Sequence, residues 1–89
     1  MKSVLKPIES EITKLGDVLE FVAQCPKDEP ARAVHEHLRD ASQLLATGMY
    51  PEYVQELEFA RLAAESIPNR HTRKTLDRLI GELIEAGPC

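Results

Sequence analysis

Residues 4–24, VLKPIESEITKLGDVLEFVAQ, decide the fold. Their apolar side chains fall at Leu5, Ile8, Ile12, Leu15, Leu19 and Val22, in alternating steps of three and four. A helix turns once in 3.6 residues, so this spacing lays one apolar stripe along a rod, whereas a half-buried strand alternates in twos. Pro7 suits the first helical turn, where its missing N–H has no intrahelical partner anyway, and Cys25-Pro26 ends the helix near residue 24. Gly16 sits inside this helix at a cost of about 1 kcal/mol relative to alanine, which marks either a close helix approach or a tolerated weak point.

The same logic carries outward along the chain. Asp28-Glu29-Pro30 combines an N-cap oxygen, first-turn negative charge and a preset φ, and so starts a second helix. Its stripe is Ala31, Val34, Leu38, Ala41 and Leu45, and Gly48 stands where a left-handed C-terminal stop belongs. Pro51 opens a third helix and Pro68 closes it, with Tyr53, Leu57, Ala60, Ala64 and Ile67 on one side. A fourth begins around Asn69 to Thr72, turns Leu76, Leu79, Ile80 and Leu83 inward, and stops at Gly87-Pro88.

Four helices joined by short connections predict a single all-α domain over residues 1–89, a small antiparallel bundle spanning approximately 4–24, 29–47, 51–66 and 70–86. Composition agrees. Of 89 residues 43% are hydrophobic but only 4% aromatic, with no tryptophan, which suits an aliphatic helical core better than a sheet. In an up-down-up-down bundle the C-terminal ends of the first and fourth helices lie at opposite poles, so Cys25 and Cys89 are expected roughly 20 to 27 Å apart, beyond disulfide reach.

Charge and cysteine content narrow the function classes. A net charge of −4 argues against coating nucleic acid by bulk attraction. Two cysteines make no disulfide framework, no run approaches the length of a membrane span, and Met1 to Lys6 meets polar residues too early for a signal peptide, so a cytoplasmic location is expected. Gly87-Pro88-Cys89 lacks the residues that a prenylation signal places after its cysteine.

Catalytic constellations are not found in the sequence. His35 and His37 are two apart and point to opposite sides of a helix, so they cannot share one ion, and no metal site is expected. Cys25 lies at a helix C-terminus, where the dipole disfavours a thiolate. The pairs Glu9/Glu11 and Glu56/Glu58 read as solvated surface, and four scattered glycines form no phosphate loop. A thin core leaves little volume for a substrate pocket, so neither enzyme activity nor a cofactor nor a small-molecule substrate is expected.

Two features point to binding. Phe59 and Leu62 lie three apart on the side of the third helix opposite its main stripe, with Tyr50 and Tyr53 near its start. Left uncovered, these four would form a patch for a protein partner or a second copy of the chain; if the helix is central, they are buried. The second feature is the segment containing Arg70, His71, Arg73, Lys74 and Arg78, basic in an otherwise acidic chain. It could hold phosphate at a helix N-terminus, contact Glu52, Glu56, Glu58 or Glu65 internally, or be solvated.

Gly48-Met49-Tyr50-Pro51-Glu52, Ala60 and Pro68-Asn69 together resemble the turn and second helix of a tetratricopeptide repeat over about a third of the chain, which implies a helical-hairpin scaffold for peptide or protein partners. Thr75 to Ile80, continuing through Leu83 to Ala86-Gly87, is similar to the recognition helix of winged-helix DNA-binding proteins. That likeness implies that Arg70, Arg73, Lys74 and Arg78 face DNA. The expectation is therefore a helical binding protein, an adaptor, inhibitor or chaperone-like subunit; the alternative is a small DNA-binding regulator working through the start of the fourth helix.

Overall fold

The computed structural model describes the backbone of residues 2–25 and 28–86, and side chains for 11–25 and 28–86. Four helices run α1 Lys2–Ala23, α2 Glu29–Ala46, α3 Tyr50–Ala64 and α4 Arg70–Glu85, and no strand occurs among the described residues. Each boundary lies within two residues of its predicted place. The side chains of Leu5, Pro7 and Ile8, the Pro26 stop, the Gly87-Pro88 stop and Cys89 lie outside the described residues, and with Cys89 the expected cysteine separation. Cys25 is a free cysteine whose thiol donates to the Phe21 carbonyl at 3.3 Å.

Local chemistry sets the ends. The Asp28 carboxylate accepts from the Ala31 N–H at 3.0 Å and Pro30 sits in the first turn, so α2 starts with a capped donor. At its far end Gly48 takes φ +79°, Met49 N–H donates to Leu44 O and Gly48 N–H to Leu45 O, the paired bonds of a Schellman stop. Past Ala64, α3 tightens into i→i+3 bonds through Ile67, which places Pro68 just outside. The Asn69 side chain then caps α4 by accepting from Thr72 N–H at 2.9 Å.

The helices pack in chain order around one core. Contact is most extensive between α2 and α3, and α1 closes against α4 with the least. The buried residues of α2 and α3 are the predicted stripes: Ala31, Val34, Leu38, Ala41 and Leu45 on one, Tyr53, Leu57, Ala60, Ala64 and then Ile67 on the other. On α4, Leu76, Ile80 and Leu83 are buried and Leu79 is partly so.

The stripe of α1 is rotated from its predicted setting. Leu15, Val18 and Val22 are buried and Leu19 only partly, while Ile12 is 46% exposed. The inward position one turn before Leu15 belongs instead to Glu11, 3% exposed, whose carboxylate accepts a 2.7 Å hydrogen bond from the Tyr53 hydroxyl. Glu11 is thus a core residue and not solvated surface. A buried carboxylate is tolerable only when a donor meets it, and Tyr53 supplies that donor from the diagonally opposite helix. Gly16 marks no close approach: a β-carbon built there would meet nothing within 4 Å.

Candidate functional site

α3 is apolar on two sides. Its inward side is consumed by the core. Its outward side carries Phe59, 42% exposed, and Leu62, 61% exposed, with no helix laid over them. The helix is therefore not covered all round, and these two residues stand together at the surface. The other two residues expected in the patch part from it. Tyr50 is half-buried and packs against the core, and Tyr53 is fully buried with its hydroxyl on Glu11, so Tyr53 is a core residue and presents nothing to a partner. Burial, the Glu11 hydrogen bond and the Glu11 charge, in that order, push the Tyr53 phenol well above the ordinary tyrosine range.

Beside Phe59 stands a residue the sequence did not single out for this surface. The His37 ring, from α2, lies 5.6 Å from the Phe59 ring at a 40° tilt, and its Nδ1 sits 2.8 Å from Glu56 Oε1. Glu56 is thereby half-buried and partnered, not simply solvated surface. His37 precedes Leu38 of the α2 stripe, but the relative rotation of α2 and α3 that brings the two rings together is a tertiary fact that helical spacing does not encode.

The rim of the patch is acidic. Glu52, Glu58 and Glu65 are exposed and form no ion pair among the described residues. The single basic residue of α3, Arg61, is held elsewhere: its Nε donates to Asp77 Oδ1 of α4 at 2.8 Å, and its guanidinium lies over Gly81. That hydrogen bond raises the Arg61 pKa and lowers that of Asp77.

The basic segment divides. Arg70, Lys74 and Arg78 are exposed in steps of four, with His71 beside them, opposite the buried Thr72, Leu76, Ile80 and Leu83. Arg73 is half-buried and donates from Nη1 to the Ile67 carbonyl at 2.9 Å, so it closes the α3–α4 turn. No ion pair among the described residues joins any of the five to Glu52, Glu56, Glu58 or Glu65. The Thr72 amide is already taken by Asn69, which removes one of the donors an anion at this helix start would use.

A cleft of about 430 Å³ opens between the end of α1 and α2, lined by Val22, Ala23, Ala31, Arg32, His35, Glu36 and Arg39. None of the three close ionisable contacts, Glu11 with Tyr53, His37 with Glu56 or Arg61 with Asp77, lines it. Among the described residues no group of three or more His, Cys, Asp and Glu is placed to hold a metal ion.

Comparison of the chain with protein-family models, with curated proteins and with solved structures gives no match.

Proposed function

We propose that this chain is a helical binding module, an adaptor or inhibitory subunit, that docks a protein partner through the outward side of α3. The observation that carries this reading is the exposure of Phe59 and Leu62, one helical turn apart, on a helix whose Tyr53, Leu57, Ala60 and Ala64 are buried and whose Tyr50, Val54 and Ala63 are partly so. Large apolar side chains grouped at a surface mark interaction sites more often than scattered ones do. Covering what these two expose is worth about 2 kcal/mol together, at 1.5 to 3 kcal/mol for full burial of each. The helix that presents them is anchored on its inner side, where α3 shares its widest contact with α2. The compartment we assign is the cytoplasm, supported by a chain of two cysteines in which Cys25 is free. No helix among the described residues is long and apolar enough to cross a membrane.

The test is the double substitution Phe59→Ser and Leu62→Ser. The variant should keep its helical fold with a somewhat lower midpoint, because Leu62 is exposed while Phe59 also packs on the His37 ring, and partners recovered from the native host by the wild-type chain should be lost. Unchanged recovery together with unchanged size in solution removes the proposal.

The second reading is a nucleic-acid-binding regulator, favoured by the exposed row of Arg70, His71, Lys74 and Arg78, which forms no ion pair among the described residues. It requires duplex binding that weakens with salt and with Arg70→Glu and Lys74→Glu. A mobility-shift experiment at low salt that shows no retarded duplex dismisses it.

A further inference from the structure

The docking face of α3 also carries information about what it docks. Glu52, Gln55, Phe59, Leu62 and Ser66 follow one another in steps of three and four and are all exposed, so they run as a single seam along the outward side of the helix and just past its end. This is the register in which one helix receives another, with an apolar centre at Phe59 and Leu62 and polar positions before and after. At 15 residues α3 is about 22 Å long, room for a partner helix of four turns.

Charge selects the occupant. Glu52 opens the seam, Glu58 and Glu65 flank it on one side and Glu56 on the other, and beyond Glu56 a groove of about 400 Å³ between α2 and α3 is lined by Asp40, Gln43, Leu44, Thr47 and Glu56. Near these carboxylates His37 sits on Glu56 and Arg61 on Asp77, while Arg73 and Lys74 line a groove with Glu65 at the end of the seam, which leaves Glu52 and Glu58 without an ion pair among the described residues.

A second copy of the chain is a poor occupant. Antiparallel two-fold pairing centred between Phe59 and Leu62 brings Glu58 of one copy beside Glu65 of the other on the same flank, and parallel pairing brings Glu56 of one copy beside Glu58 of the other; like charges so placed destabilise a helix pair. The chain's own cationic row on α4 does not serve either. The same side of α4 carries Asp77 and, past Arg78, Gly81, so that row offers no large apolar side chain to cover Phe59.

From this juxtaposition, and resting on the docking face proposed above, we infer that α3 receives an amphipathic helix from a partner protein, one whose apolar seam is flanked by lysine or arginine. Apolar burial supplies the affinity and the glutamate rim supplies orientation and choice of partner.

Two synthetic peptides test it. Both carry leucines three and four residues apart along four turns, one with lysines at the flanking positions and one with glutamates. The isotope-labelled full-length chain is titrated with each while its amide resonances are recorded. The lysine peptide is expected to shift the amides of α3 and of His37, and to lose about tenfold in affinity between low and high salt. Glu58→Lys with Glu65→Lys should cost a similar factor while leaving the unfolding midpoint in place, and the glutamate peptide should shift nothing. Equal, salt-insensitive binding of both peptides overturns the charge selection and leaves the docking face standing. Shifts in α3 that depend on protein concentration without peptide, and vanish in the Phe59→Ser, Leu62→Ser variant, assign the face to a second copy and overturn the inference. Absence of shifts from either peptide overturns it too, and the docking face itself is then judged by recovery of partners from the host.

Discussion

Tyr53→Phe removes one oxygen and leaves the Glu11 carboxylate, 3% exposed, without the donor that lies 2.7 Å away in the native protein. A hydrogen bond to a charged group contributes roughly 1.5 to 3 kcal/mol, and stranding a buried acceptor costs a comparable amount, so a loss of about 2 kcal/mol is expected. In a domain of this size that lowers the thermal midpoint by roughly 10 °C. The chemistry also fixes a pH dependence. Because the folded protein holds the Tyr53 proton more tightly than the unfolded chain does, stability is undiminished below about pH 10, the ordinary tyrosine pKa, and falls as pH rises beyond it. Tyr53→Phe should remove that alkaline limb. Combining it with Glu11→Leu should recover more than about 1 kcal/mol, since replacing both partners with apolar groups leaves nothing unsatisfied. Denaturant titration of the three proteins at neutral and alkaline pH measures all of this. A Tyr53→Phe variant within about 0.5 kcal/mol of wild type would refute the claim that Glu11 is a buried, dependent carboxylate.

Gly16→Ala should stabilise the protein by about 1 kcal/mol in urea titration, because the added methyl meets nothing within 4 Å and glycine is a poor residue inside a helix. Gly48→Ala should do the opposite by about 1 to 2 kcal/mol, since φ +79° is strained for any side chain, and the loss should be regained by restoring glycine and less so by asparagine. Asp77→Ala should cost at most about 0.5 kcal/mol, because the Arg61 pair is well exposed to solvent, and that small cost should vanish in high salt. With the Asp77 carboxyl held below its usual range, the contribution of the pair is present at neutral pH and disappears as pH falls through the acidic range, which a pH series of the same titration would register.

Much of the fold was legible because α2 and α3 obey simple rules. Their stripes of three and four, their prolines and Gly48 fix both face and ends, and the buried sets agree residue for residue. α1 was legible as a helix but not in its rotation. Two neighbouring registers compete there, one led by Ile12 and one by Val18, and hydrophobicity favours the first; the second wins with the Glu11 carboxylate meeting the Tyr53 hydroxyl across the bundle. A glutamate at a core position is invisible to a pattern built on apolar residues. Of the candidate surface, Phe59 and Leu62 were found because they violate the amphipathic pattern of their own helix. Tyr53 was assigned both to the core stripe and to the surface, and only packing resolves which; His37 joined the patch through a tertiary contact that no spacing within α2 announces. Arg73 looked like its basic neighbours until the turn between α3 and α4 placed the Ile67 carbonyl within its reach.

The working surface can be identified in the cell by placing a photo-reactive side chain at Leu62 on α3, at Arg78 on the basic side of α4, and at His35 in the cleft between α1 and α2, and comparing the adducts formed on irradiation in the native host. A discrete protein adduct from Leu62, absent from the other two positions, is the predicted result. Adducts from Arg78 or His35 with none from Leu62 would contradict it.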